Sequence, residues 1–210
     1  MEVLYEIVGI ATYAAMGLTA LWGAYCAVMV WMRVANVRFR NEEEQQEFVE
    51  ELGTHLEKGD FDGAIALCED DRRALPQLAL YGIENRHLGL KRVQRQTWER
   101  FQSDVLGEIE KDLSWVATVI KSAPMMGLFG TVTGMMGAFN NIYSAGSNVD
   151  PNQMAGDIMF ALITTALGLA IAMPLLIVSN GIVLRIRKME ELVGIGIAHL
   201  MDVFRPVFPK

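Results

Sequence analysis

The sequence predicts an all-α membrane protein: three transmembrane helices with long cytoplasmic helical extensions. Three observations carry that prediction. Apolar residues are gathered into three long stretches instead of being spread as amphipathic stripes. The stretches run from Ile7 to Met32, Ser122 to about Tyr143 and Ile158 to Leu184, each at or above the roughly 20 residues that a bilayer requires. Basic residues mark only one set of ends: neither the stretch before Arg33 nor the segment from Ser144 to Asp157 contains Lys or Arg. Arg33, Arg38, Arg40, Lys111, Lys121, Arg185, Arg187 and Lys188 flank the opposite ends.

Lys and Arg near span ends favour the cytoplasm, so the N-terminus is expected outside and the central segment and C-terminus inside. The organisation expected is a first transmembrane helix over 1–35, a cytoplasmic helical domain over 36–114 and a second transmembrane helix over 115–143. A short outer loop over 144–157, a third transmembrane helix over 158–184 and a cytoplasmic C-terminal helix over 185–210 complete it. The first span lacks a basic lead-in and a small-residue cleavage site, and Glu2 and Glu6 precede it, so it is expected to be retained. Cys26 falls within that span and Cys68 in the cytoplasmic segment, which disfavours a disulfide between them.

The net charge of −7 arises mostly in the central segment, where Glu42, Glu43, Glu44, Glu47, Glu50 and Glu51 open a helical region. These glutamates read as a solvated face that keeps the segment soluble, with a docking face for a basic partner as the alternative. Nucleic-acid binding is disfavoured, since no basic stripe carries interleaved aromatics. Helical spacing runs from Glu42 to Lys58, Gly59 and Asp60 break it, and a second helix follows from about Phe61 to Asp70. Ala64, Leu67 and Cys68 form a stripe suited to packing on Phe48 and Leu52. Pro76 begins another segment. Arg86 to Val119 then reads as one long amphipathic helix running on into the second span, and the third span is expected to continue to about Phe204 before Pro206. Ser144, Ala145, Gly146, Ser147, Asn148, Asp150, Pro151 and Asn152 give the outer connection a turn-rich composition.

The run SAPMMGLFGTVTGMMGAF, Ser122 to Phe139, is apolar enough for a bilayer yet contains Pro124, Thr131, Thr133 and four glycines. On a helix, Pro124, Gly127, Thr131, Gly134 and Ala138 share one small, hydroxyl-bearing face. In the third span, Asp157, Ala161, Thr165, Gly168 and Ala172 repeat that pattern. Small faces allow tight helix packing, with each hydroxyl bonded to its own helix at i−4. Alternatively, Thr131 and Thr165 line a narrow polar track. Pro124 and Pro174 each free a backbone carbonyl, which either kinks the helix or serves the track. Lys121 snorkels to water at the cytoplasmic end. These two spans lack a titratable residue near the bilayer centre, so a proton relay needs a partner to supply one. Asp157 sits near the outer mouth, where it attracts cations or caps the third helix.

These residues resemble the MotA, TolQ and ExbB family of ion-channel subunits. APMMGLFGTVTGM looks like the second-span motif and ALITTALGLAIAMP like the third-span motif. GDFDGAIALCE, the outside N-terminus and the large cytoplasmic loop agree with the ExbB/TolQ branch. The resemblance implies a ring-forming homo-oligomer, a pentamer, around an ExbD/TolR-like single-span dimer that supplies a transmembrane Asp, in a multi-pass protein of the bacterial inner membrane. Its N-terminus would be periplasmic. A TonB/TolA-like protein is a further implied partner, and membrane lipid is the surrounding medium. Thr131 and Thr165 match the family threonines that face the partner carboxylate, with Thr164 beside them in the ion pathway. Gly127, Gly134, Gly168, Pro124 and Pro174 fall on the pore-face packing positions. Several TolQ and ExbB relatives carry a Glu five residues before the third-span Thr, where this chain has Phe160. A Thr164–Thr165 pair resembles some sodium-driven members, but a second Thr can simply face a neighbouring helix, so the driving ion is expected to be a proton, with sodium as the alternative.

The function expected is a proton-motive-force-driven channel subunit that moves a periplasm-reaching partner. The competing reading is a non-conducting scaffold for a single-span partner. An enzyme is disfavoured: His55, His87 and His199 lack ligand spacing with Cys, Asp or Glu, and no nucleophile has a positioned base. No cofactor or metal is expected.

Overall fold

The computed structural model describes residues 2–145 and 151–207, and its regular elements there are helical. They are α1 (Glu2–Val37), α2 (Glu42–Glu57), α3 (Phe61–Glu69), α4 (Ala74–Glu84), α5 (Leu90–Arg100), α6 (Gly107–Ala145) and α7 (Pro151–Phe204). A 3-10 turn occupies Arg86–Leu88 and a π-helical turn Phe101–Leu106. Three helical stretches, Ile7–Val37, Leu90–Tyr143 and Met154–Phe204, are long and apolar enough to cross a membrane. The protein is therefore an all-α membrane protein with three spans, as its hydropathy predicts.

Two expectations need correction. The helix expected from Arg86 begins at Leu90, because Gly89 adopts φ +83°, a left-handed conformation that interrupts the helix. It then passes through the π turn at Phe101–Leu106 before α6. The third span's helix starts at Pro151, within the stretch read as connection, since proline suits a first helical position whose N–H needs no partner. Gly146, Ser147, Asn148 and Asp150 lie outside the described residues. At its other end α7 stops at Phe204, as expected.

The chain divides into two compact units, Met1–Met29 with Asp112–Gly181 and Val30–Lys111 with Ile182–Lys210. In the first unit, Cys26, Ala27, Val116, Val119 and Leu175 form a buried cluster that joins α1, α6 and α7. Gly23 permits the approach: a Cβ there would lie 2.7 Å from Val119 Cγ1 and 2.8 Å from Leu175 Cδ1. Many other apolar side chains of this unit face outward, Ile10, Leu18, Leu21 and Phe129 among them, and only 17% of the most apolar window of α1 is buried. Lipid or other protein must cover that surface.

In the second unit, α2 ends at Glu57, and Gly59, with a φ of +74°, turns the chain two residues later. Asp60 caps α3 by accepting from the Gly63 N–H at 3.0 Å, and His55 Nδ1 lies 3.0 Å from the same carboxylate. Phe48, Leu52, Ala64 and Cys68 are buried as their spacing predicts, whereas Leu67 is only half-buried. Burial pushes the Cys68 thiol up to about 12, which leaves it neutral and unreactive. Both cysteines are free. The α7 end packs here: Gln45 Nε2 donates to the Leu192 carbonyl at 2.8 Å, and Gly82 seats the Phe204 ring.

One buried group in this unit lacks compensation. Thr97 Oγ1 is fully buried with no hydrogen-bond partner among the described residues. Thr97→Val keeps the shape and removes the desolvated hydroxyl, so it should raise the unfolding free energy by about 1 kcal/mol. Denaturant titration of the purified protein checks this, and a loss of stability would show that the hydroxyl is satisfied.

Arg73 ties the start of α2 to the start of α4. Its guanidinium lies 3.8 Å from the Phe39 ring centre and pairs with Asp71 Oδ2 at 2.6 Å and Glu44 Oε1 at 2.5 Å. The Arg40 backbone N–H, then Arg73, holds the Glu44 carboxyl below its usual range. At Asp71 burial pushes upward, but the hydrogen bonds from Arg73 outweigh it and the net direction is also downward. Folded-state values below the unfolded ones mean a contribution present above the ordinary carboxylate range of about 4 and lost as pH falls through the lowered values. Arg73→Met should therefore cost about 1 kcal/mol near neutral pH. That difference should persist down to about pH 5 and shrink toward pH 3, which paired thermal melts at each pH would reveal.

Candidate functional site: the seam between α6 and α7

Within the first unit, α6 and α7 pack along facing rows of small residues. Ala123, Gly127, Gly130 and Gly134 on α6 meet Gly168, Thr165, Thr164, Ala161 and the Asp157 backbone on α7. Spacings alternating between three and four residues keep both rows on the seam. The approach is close enough to exclude side chains. A Cβ at Gly127 would lie 2.8 Å from the Thr164 carbonyl oxygen, and one at Gly134 2.9 Å from both Ala161 Cβ and the Asp157 carbonyl oxygen.

Three hydroxyls enter this seam. Thr131 and Thr165 are hydrogen-bonded to each other. Thr131 Oγ1 also lies 3.1 Å from the Gly127 carbonyl oxygen and 3.2 Å from that of Ala161, while Thr165 Oγ1 lies 3.2 Å from the Gly127 oxygen. Gly127 and Ala161 stand four residues before Thr131 and Thr165 respectively, so each hydroxyl reaches the carbonyl one turn back on the opposite helix. Thr164 is fully buried against Gly130 and donates to the Ala161 carbonyl at 2.8 Å, with the Gly127 oxygen at 3.4 Å. Neither helix-internal bonding nor cross-helix bonding alone describes the threonines, since both occur.

Asp157 is not an N-cap. It lies inside α7, well past Pro151, where it accepts a hydrogen bond from Asn141 Nδ2 at 2.6 Å, and its carboxylate lies 3.6 Å from a Cβ placed on Gly137. Pro124 is half-buried at the edge of the seam, and Pro174 is exposed. Phe160 packs edge-on against Tyr13 with ring centres 5.2 Å apart, and Gly9 gives its ring room. An aromatic in that position thus anchors α1 to α7.

Gly130 and Asn141 escaped the sequence reading. Gly130 lies three residues beyond Gly127 and contacts Thr164 more tightly than any other residue on its row, so the i+3 position held the missing signal. Asn141 becomes recognisable only once the antiparallel register of α6 and α7 is known. Among the described residues no cluster of His, Cys, Asp and Glu is arranged to hold a metal ion.

Comparison with known proteins places this seam in a family. Residues 77–194, more than half of the chain, match the MotA/TolQ/ExbB proton channel family. The biopolymer transport protein ExbB of Aquifex aeolicus is 34% identical over 107 residues, which are 51% of this chain and 70% of that protein. An ExbB-like biopolymer transport protein of Synechocystis is 39% identical over 94 residues, 43% of this chain and 37% of the relative. The Tol-Pal system protein TolQ of Haemophilus influenzae is 37% identical over 83 residues, 40% of this chain and 36% of the relative. The chain thus spans little more than a third of the length of the last two. With its three apolar helices and the family match extending from α4 across the seam, the chain belongs to the MotA/TolQ/ExbB proton channel family, on the ExbB/TolQ branch.

Proposed function

We propose that the protein is the channel subunit of an ExbB–ExbD- or TolQ–TolR-like motor in a bacterial inner membrane. The observation that carries this reading is the Thr131–Thr165 pair, a polar site held by a tightly packed small-residue seam in otherwise apolar spans. Copies assemble as a pentamer around a single-span ExbD/TolR-like dimer, and the dimer brings an Asp. A carboxylate in low dielectric is costly when charged, so taking up an ion changes its preferred surroundings and can drive stepwise motion. The threonines offer it hydrogen bonds when it faces the seam. The motion is passed to a TonB/TolA-like protein reaching the periplasm. The N-terminus is periplasmic, the C-terminus cytoplasmic, and the protein performs no enzymatic reaction. The proton is the driving ion in this reading, because the second threonine, Thr164, is buried against Gly130 of the neighbouring helix and so serves packing.

The hydrogen bonding of the seam also favours a second reading. Every seam hydroxyl has an acceptor within the chain, as a scaffold packed only to hold a partner helix would require. Ion flux in proteoliposomes containing the protein and its single-span partner, under separate proton and sodium gradients, separates the two. Partner-dependent flux supports the channel, and the effective gradient identifies the ion. No flux from a correctly assembled complex would leave the scaffold.

A further inference from the structure

In the second unit, Arg185 of α7 lies with its guanidinium carbon 3.6 Å from the centre of the Trp31 ring on α1. Both residues stand where an apolar surface becomes a charged one. On α1, Trp31 is 38% exposed and Met32 50%, and Arg33 follows. On α7, Leu184 is 66% exposed, and the exposed Arg187 and Lys188 come next. Contact between the two residues sets these transitions on α1 and α7 at one level.

The neighbouring Arg33 pairs with Glu108 at 2.9 Å. Arg185 differs: among the described residues it makes no hydrogen bond or ion pair with a carboxylate. A guanidinium stacked on a ring keeps its N–H groups in a plane parallel to the ring, so its edge stays open to pair with two phosphate oxygens. Trp is also the aromatic residue suited to a membrane–water boundary, with an apolar body and a polar N–H.

We infer that Trp31 and Arg185 form a binding site for the phosphate of an anionic phospholipid headgroup. The acyl chains lie along the exposed apolar surface beside Met32 and Leu184, which is why the occupant is a lipid and not a free anion. The site rests only on the helices crossing a membrane and does not depend on ion conduction.

Tryptophan fluorescence of the full-length protein in nanodiscs tests the site. Phosphatidylglycerol or phosphatidylcholine, brominated on the acyl chains, serves as quencher, and the difference between wild type and Trp31→Phe isolates the Trp31 signal. At equal mole fraction, the glycerol lipid should occupy the site about fivefold more than the choline lipid, the factor that one basic residue near a membrane surface provides. Arg185→Gln should abolish the preference, Arg185→Lys should keep part of it, and Arg187→Gln should leave it intact. Equal quenching of the isolated Trp31 signal by both lipids overturns the inference. A preference that survives in a folded Arg185→Gln protein overturns it too, as does full competition by millimolar inorganic phosphate.

Discussion

Gly168→Ala is expected to destabilise the protein by about 1–3 kcal/mol, because the added methyl meets backbone that cannot step aside. Its Cβ would lie 2.6 Å from the Ala123 carbonyl oxygen and 3.3 Å from the Gly127 Cα. At Gly82 the opposing atoms belong to the Phe204 ring, a side chain that can shift. At Gly168 relief requires α6 and α7 to separate, which also pulls apart Thr131 and Thr165. Gly181 is the control on the same helix: nothing lies within 4 Å of its Cβ position. Gly181→Ala should stabilise by roughly 0.5–1 kcal/mol through helix propensity alone. Unfolding of both variants in mixed detergent, followed by circular dichroism, decides the matter. Equal stability of the two would mean that the seam is not tightly packed.

The second large effect concerns transport. Thr165→Ala removes the hydroxyl that Thr131 meets and leaves a half-empty polar site, so partner-dependent ion flux should fall by at least about tenfold, the equivalent of ~1.4 kcal/mol. Thr165→Ser keeps the hydroxyl and should recover most of the flux, which separates a polar role from simple filling of space. Because Thr131 and Thr165 share one hydrogen bond, the double alanine variant should lose less than the two single losses combined. Assembly with the partner must be verified in each case by co-purification. Unchanged flux in an assembled Thr165→Ala complex would remove this residue from the mechanism and favour a packing role.

Much of this was readable in the chain because membrane spans announce themselves by length and because small residues at helical spacing leave a visible stripe. Thr131 and Thr165 fall on such stripes, and antiparallel packing of adjacent helices brings the stripes together. What stayed hidden depends on register and phase. The Asp157–Asn141 contact joins residues on different helices, and periodicity along either helix alone contains nothing about the alignment. Phe160 reads as a departure from a family pattern, but its role against Tyr13 and Gly9 requires the placement of α1. The π turn at Phe101–Leu106 widens the helix locally and shifts its apolar phase, so a constant 3.6-residue period from Arg86 onward cannot fit both sides of it with one phase.

The hydroxyl pair also has a directional property. Each threonine carries one proton, and two arrangements satisfy both. Thr131 can donate to Thr165 while Thr165 donates to the Gly127 carbonyl. The reverse order has Thr165 donating to Thr131 while Thr131 donates to the Gly127 or Ala161 carbonyl. The two orders keep the same number of hydrogen bonds and the same rotamers but point the local dipole in opposite directions. A charge arriving beside the seam therefore meets a dipole that can turn toward it by hydroxyl rotation alone, while the tightly packed backbone stays still.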